Sequence, residues 1–352
     1  MKHWFLAAIY FIFTLFSTLT LSSIAPQLAA RQLTSFILGG ILFFVASRIS
    51  VRWIQQIRWI LYAGGIILLM IPLVLFSATR GTHRWIDIAG IFTIQSSQFA
   101  LPATIFAALT ILTQAKSFGW LLLGKFLLTI GIPAGLILIA PDLGSTIAFA
   151  LPPLMVLPLL PFSNKKIVTL LVVGIIGSFL AWHFVLEEYQ KIRFMAFLQP
   201  ESADNYNAHQ ALITIGSGKF LGRGLGQGIQ SHLQFLPERQ TDFIFASFAE
   251  EYGFFGCLVL IGMYAVLCIF LYIQARALPN TTEKLFLLVV FSTIFLQTTI
   301  NIYMNLGLLP ITGITLPFMS YGGSSILGLA ILLGICQATI SRAPQKSALH
   351  IG

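Results

Sequence analysis

Ten stretches of this sequence are long and apolar enough to be read as membrane spans, near residues 4–24, 34–49, 59–78, 96–114, 118–139, 143–161, 167–186, 243–274, 285–306 and 321–340. In hydrocarbon no water satisfies a backbone N–H or C=O, so a chain made of such runs closes its hydrogen bonds within helices. The expected fold is all-α, a polytopic transmembrane helical bundle of about ten spans. Composition agrees, since 9% of the 352 residues are charged and 57% are hydrophobic, where a soluble domain carries about 25% charged residues. A soluble enzyme and a disordered chain are both excluded. The first run follows Lys2 and ends near Leu28-Ala-Ala30, which would suit a signal peptide. It is longer than the apolar core of one, about 7–15 residues, and is read as an uncleaved helix. Cys257, Cys268 and Cys336 all fall inside apolar runs without paired spacing, so they read as small hydrophobes and not as a disulfide framework or a thiolate metal site.

A net charge of +9 would suit nucleic acid, a membrane surface or an inner-membrane topology, and the placement of the charges decides. With the N-terminus inside, Lys2, Arg48, Arg52, Arg58, Lys116, Lys165, Lys166, Arg276, Lys284, Arg342 and Lys346 fall on the cytoplasmic side, against Arg31, Arg80 and Arg84 in the short outer loops. That asymmetry satisfies the positive-inside rule, and ten spans return the C-terminus to the cytoplasm. No nucleic-acid partner is expected. Asp87, Asp142, Glu187, Glu188, Glu201, Asp204, Glu238 and Asp242 map outside and only Glu283 inside, so chemistry is expected on the outer face. Residues 1–352 read as one membrane domain. Its long outer loop, about residues 187–242, keeps apolar groups such as Phe194, Phe197, Leu212 and Ile215 and is expected to lie partly in the interface as amphipathic helices.

Where this loop enters the eighth span the chain reads Phe235-Leu-Pro-Glu-Arg-Gln-Thr-Asp-Phe-Ile-Phe-Ala246. If the segment is helical, Glu238 and Asp242 share a face, with Arg239 beside them. Spacing alone leaves two readings open. Thr241 as N-cap with Asp242 in the first turn would serve the helix. A partly desolvated carboxylate beside Phe243 and Phe245 would serve as a general base. Glu250 and Glu251 follow within the span, with Lys125 of the fifth span as candidate partner, either as a buried ion pair or as a functional group. The Arg84 cluster and Arg193 suit diphosphate recognition, because a guanidinium fork binds phosphate oxygens in pairs, while the alternative is headgroup anchoring.

Gly216, Gly218, Gly222, Gly224, Gly226 and Gly228 surround Lys219 and Arg223. With Phe220 after the lysine this is not a P-loop, and it reads as tight turns and close helix approach. Leu306 to Ser320 carries Pro310, Gly313 and Pro317 and no charge, the pattern of a re-entrant or cavity-wall segment. Gln297, Asn301 and Asn305 form a polar stripe on the ninth span that must face the bundle or a wet cavity.

Together these motifs resemble the SEDS family (RodA, FtsW and SpoVE). The resemblance runs through Arg84-Trp-Ile-Asp87, Pro141-Asp-Leu-Gly144, Ile215-Gly-Ser-Gly218, Gly222 to Gly228, Phe235 to Ala246, Ala249-Glu-Glu251 and Leu309-Pro-Ile-Thr-Gly313 through Ser320-Tyr-Gly-Gly-Ser-Ser325. The chain departs from the family pattern at the fourth span. Gln98 and Leu101 stand where the family has Glu and Lys, as expected of a buried pair lost together. Gln240 replaces a frequent His, and Ala140 a frequent Gln.

The resemblance implies a peptidoglycan glycosyltransferase that polymerises lipid II at the outer face of the bacterial cytoplasmic membrane, for elongation or division. It implies Asp242 as the catalytic residue, with Arg84, Arg193, Arg239 and Glu238 as candidates for substrate and diphosphate binding. Lys125, Glu250, Glu251, Asn301 and Asn305 are the intramembrane polar set. A divalent cation, Mg²⁺ or Mn²⁺, is admitted as a helper with no ligand assigned. The implied partner is a class B penicillin-binding protein. A lipid II flippase and a non-catalytic scaffold are the competing readings.

Overall fold

The structure, a computed structural model, describes residues 4–75, 85–88, 92–199 and 206–342. Helix α1 (Phe5–Ile24) turns at once into α2 (Pro26–Arg48), because a proline cannot continue the hydrogen-bonding of α1 but starts a helix readily. The short α3 (Val51–Gln56), capped by Ser50 Oγ accepting from Trp53 N–H at 3.2 Å, leads to α4 (Arg58–Leu75). An antiparallel hairpin follows, β1 (Trp85–Ile88) and β2 (Phe92–Gln95), pairing Trp85 with Gln95 and Ile86 with Ile94. Next come α5 (Ser96–Thr113), α6 (Trp120–Ile139), α7 (Leu143–Leu154) and α8 (Asn164–Phe184). The long loop holds α9 (Glu188–Leu198), α10 (Tyr206–Ser217) and α11 (Ile229–His232). The chain closes with α12 (Ile244–Ala277), α13 (Thr281–Asn305) and α14 (Gly323–Arg342).

Among the described residues, eight helices (α1, α2, α5, α6, α8, α12, α13 and α14) are long and apolar enough to cross a membrane, and Arg58–Val74 and Leu143–Leu159 are shorter apolar helices. All ten apolar runs therefore become helix, and the chain is a multi-pass membrane protein. The β hairpin was not among the expected elements. It is tied to the bundle by Gln95 N–H donating to Ser324 Oγ at 2.9 Å and by Ser324 Oγ–H donating to Thr93 O at 3.2 Å.

Helix α14 is buried along most of its length against α2 and α5, whereas α8 has no buried residue and stands at the periphery. An aromatic cluster joins Phe13 of α1 to Tyr264 of α12 and to Phe318, with centroids 4.8 and 5.7 Å apart. Phe318 belongs to the non-helical segment 306–322, so this packing fixes that segment against two helices.

Helix α12 is broken at Gly253, whose φ of +68° is not helical. The loop after α10 inserts into the break. Arg223 N–H donates to Glu250 O at 2.9 Å and Gly224 N–H to Glu251 O at 3.0 Å, while Phe254 and Phe255 N–H donate to Lys219 O and Phe220 O at 3.0 and 3.1 Å. Backbone groups freed within the helix are thus satisfied by the glycine-rich run, as irregular backbone at such a position requires. The expected close approach is present at Gly218, where a Cβ would stand 1.9 Å from Ala249 O.

Candidate active site

The turn that precedes α12 presents Asp242. Glu238 heads it in a left-handed conformation (φ +49°), and its carbonyl accepts from Thr241 N–H at 3.1 Å and Phe243 N–H at 3.3 Å. A non-glycine residue held there stores strain of about 1–3 kcal/mol, which persists only where the surroundings over-determine the backbone. They do so here. Ser247 Oγ–H donates to Arg239 O at 3.3 Å, Tyr321 N–H to Gln240 O at 2.8 Å and Ser320 Oγ–H to Thr241 O at 2.6 Å. Asn301 and Asn305 Nδ2 each donate to Asp242 O at 3.0 Å. Four consecutive carbonyls are thereby held from α12, α13 and the 306–322 segment. Leu236, fully buried with Ala211, Phe243 and Ala246, anchors the turn to α10.

This geometry corrects two expectations. Residues 238–242 are not helical, so Glu238 and Asp242 do not share a helix face. Thr241 is not the N-cap either: that position is Phe243, without a side-chain bond, and the Thr241 hydroxyl donates to Glu238 O and Oε2 at 3.2 and 3.0 Å. The cap comes from α13, where Asn305 Oδ1 accepts Ala246 N–H at 3.1 Å.

Asp242 and Glu238 nevertheless both line one cavity of about 200 Å³. Arg193 of α9 and Asn207 and His209 of α10 line it too, and Leu309, Pro310 and Ile311 form an apolar wall. Arg193 lies over the Tyr189 ring at 5.8 Å. At Gly313 (φ +73°) a Cβ would lie 3.6 Å from Asp242 Oδ2 and 4.0 Å from Arg193 Nη1. The carboxylate and the guanidinium therefore converge over one residue that has no side chain. The uncharged 306–320 segment forms the cavity wall, as its composition suggested.

The other candidates lie elsewhere. Arg239 is outside the cavity lining, and its Nε and Nη2 donate to Ile24 O, the last carbonyl of α1, at 3.3 and 3.2 Å. Partial burial lowers its pKa, which still leaves a guanidinium charged at neutral pH. Arg84 lies outside the described residues. Lys125 is exposed on α6 and, among the described residues, pairs with neither glutamate. Glu250 is fully buried on neutral donors, accepting from Gln230 N–H, Ser231 N–H and Ser231 Oγ–H at 2.9, 2.9 and 2.6 Å and from Ser217 Oγ–H at 3.2 Å. Glu251 Oε1 accepts from Ser23 Oγ–H and from Gly226 N–H at 3.2 Å, with His232 Nε2 3.6 Å away. The expected Lys–Glu pair is thus replaced by a hydrogen-bonded carboxylate, because the loop backbone reaches Glu250 first. Gln297, Asn301 and Asn305 face the bundle interior as expected. Asp142 caps α7, accepting from Ser145 N–H at 3.1 Å and from Gln95 Nε2 at 3.2 Å.

Sequence reasoning missed Asn207, His209, Ser231 and His232. The signal was there for His209, a titratable residue near the start of the apolar pattern that becomes α10. For Ser231 no local pattern points to Glu250. Among the described residues no group of three or more His, Cys, Asp or Glu stands ready to hold a metal ion.

The sequence model of the FtsW, RodA and SpoVE proteins, described as cell cycle protein, matches residues 2–345. This chain belongs to that family. Among curated relatives, the peptidoglycan glycosyltransferase MrdB of Helicobacter pylori is 34% identical over 319 residues, covering 88% of this chain and 82% of the relative. A solved chain from work on the structural coordination of polymerization and crosslinking by a peptidoglycan synthase complex superposes with a TM-score of 0.83 at 25% identity, covering 97% and 98% of the two chains. The rod shape determining protein RodA of Thermus thermophilus superposes at 0.71 with 25% identity over 97% of each chain. The FtsW/RodA/SpoVE fold thus runs through nearly the whole chain.

Proposed function

We propose that this protein is a peptidoglycan glycosyltransferase that polymerises lipid II, a disaccharide-pentapeptide on an undecaprenyl diphosphate carrier. The observation that carries the reading is Asp242, its turn held at four successive carbonyls and its carboxylate directed with Arg193 toward Gly313 beside the cavity. Asp242 accepts the proton of the acceptor GlcNAc 4-hydroxyl as that oxygen attacks the donor's anomeric carbon. The new C–O bond forms as the bond to the diphosphate oxygen breaks, with inversion, and the electron pair leaves on undecaprenyl diphosphate. Arg193 offsets the charge that grows on this leaving group. The apolar wall of Leu309, Pro310 and Ile311 suits the carrier lipid.

The N- and C-termini lie in the cytoplasm by the placement of Lys and Arg, which puts the cavity on the outer face of the bacterial cytoplasmic membrane. A class B penicillin-binding protein is the crosslinking partner, by analogy with the synthase complex that this chain resembles. The test is lipid II supplied outside sealed proteoliposomes holding the full chain, with and without that partner. Glycan from wild type and none from a folded Asp242→Asn variant is the expected outcome. Redistribution of lipid II without polymer would make the protein a flippase, and neither event would make it a scaffold.

A further inference from the structure

The cavity has two polar sides and one apolar side. Helices α9 and α10 face it with nitrogen donors, Arg193, Asn207 and His209, and the turn before α12 faces it with the carboxylates of Glu238 and Asp242. The third wall, Gly307 and Leu309 to Ile311, adds no titratable group. The charged and titratable groups around His209 are therefore Arg193 from α9 and Glu238 and Asp242 from the turn. Glu201 and Asp204 precede α10 outside the described residues.

His209 is exposed toward this space and has no hydrogen-bond partner among the described residues. His232, the other histidine of the loop, is instead 3.6 Å from Glu251 and serves the interior. An imidazole N–H beside a guanidinium suits an anion with several oxygens, since the fork takes two of them and the ring supplies one more directed donor.

We propose that His209 is a substrate-binding residue that donates a hydrogen bond to the diphosphate of the lipid-linked sugar, alongside Arg193 and opposite Asp242. The inference rests on the lipid II reading above. The diphosphate is present both before and after glycosyl transfer, so this bond contributes to binding the substrate and the released lipid more than to the chemical step.

The experiment measures binding of undecaprenyl diphosphate, and separately KM and kcat for lipid II, with the reconstituted full chain as wild type, His209→Ala, His209→Gln and His209→Lys. Losing one hydrogen bond to a charged group should weaken binding about tenfold in the alanine variant. KM should rise by a similar factor with kcat within about twofold of wild type. Glutamine and lysine, which restore a donor, should recover most of the affinity. Asp242→Asn should bind like wild type and fail only in turnover. Wild-type binding by His209→Ala would overturn the proposal. So would a loss of binding that neither glutamine nor lysine restores at an unchanged unfolding temperature. If wild type binds the lipid diphosphate but makes no glycan, the polymerase reading fails while these variants still decide the role of His209.

Discussion

Replacing Asn305 with alanine separates what holds the turn from what holds the fold. Its side chain, fully buried on α13, makes four bonds at once: Nδ2 to Asp242 O at 3.0 Å, to Asn301 O at 2.8 Å and to Asn301 Oδ1 at 3.4 Å, and Oδ1 from Ala246 N–H at 3.1 Å. Alanine leaves Ala246 N–H, one of the first unpaired donors of α12, buried without an acceptor, which costs about 1–3 kcal/mol. It also removes one of the two donors on Asp242 O, so that carbonyl is held by Asn301 alone. A displacement of the order of 1 Å costs about a hundredfold in rate. Asn305→Ala should therefore lower the unfolding temperature and reduce kcat by about ten- to a hundredfold, with KM nearly unchanged. Asn301→Ala leaves Ala246 capped but strips the donors from Asp242 O and from the buried Ile314 O, so it too should lower both the unfolding temperature and kcat. The assay is glycan formation from labelled lipid II, normalised to folded protein by size exclusion, with a thermal unfolding curve for each variant. Full kcat per folded Asn305→Ala molecule would show that the bracket does not position Asp242.

Further outcomes follow from single contacts. Gly313→Ala puts a methyl 3.6 Å from Asp242 Oδ2 at a φ of +73°, so it should cost about 1 kcal/mol in stability and lower glycan synthesis more than lipid II binding. Glu250→Gln presents an amide to donors that now meet a carboxylate, so folded yield and unfolding temperature should fall more than turnover per folded molecule; intact stability with lost turnover would reverse that assignment. Lys125→Met should change neither by more than about 0.5 kcal/mol, because the lysine is exposed and joins neither glutamate. Arg239→Ala should loosen the end of α1 and lower the unfolding temperature, with KM for lipid II unchanged if it binds no diphosphate.

The bundle was legible because lipid admits few alternatives: each apolar run from 4–24 to 321–340 is helix, with ends displaced by a few residues. The cavity wall at 306–320 was legible for the same reason, since uncharged non-helical chain at that depth must be buried or line a cavity. The site's finer geometry depends on contacts between residues far apart in sequence. Helical spacing put Glu238 beside Asp242, but α12 begins only at Ile244 because Asn305, 59 residues after Ala246, supplies its cap. Proximity in charge and depth paired Lys125 with Glu250, while the structure satisfies that carboxylate with backbone N–H groups that carry no sequence signature. The β hairpin had a weak signal in the alternation of Trp85-Ile-Asp-Ile88, which the length of the surrounding loop hid.

Glu250 also explains how so long a loop can hold so small a site steady. Its carboxylate accepts the N–H groups of Gln230 and Ser231, its own carbonyl accepts Arg223 N–H, and the chain on either side enters the break at Gly253. Residues 218–231 are thereby fastened to α12 about two helical turns beyond Asp242. Ser217, the last residue of α10, adds a fourth donor to the same carboxylate. Helix α10, which carries Asn207 and His209 to the cavity, is thus fixed at its far end by the helix that follows Asp242. A buried charge without a cationic partner is costly unless its oxygens are fully hydrogen-bonded. Here that requirement couples the two walls of the cavity, so loosening Glu250 should disturb the spacing of His209 and Asp242 through the backbone, without any group on Glu250 touching the substrate.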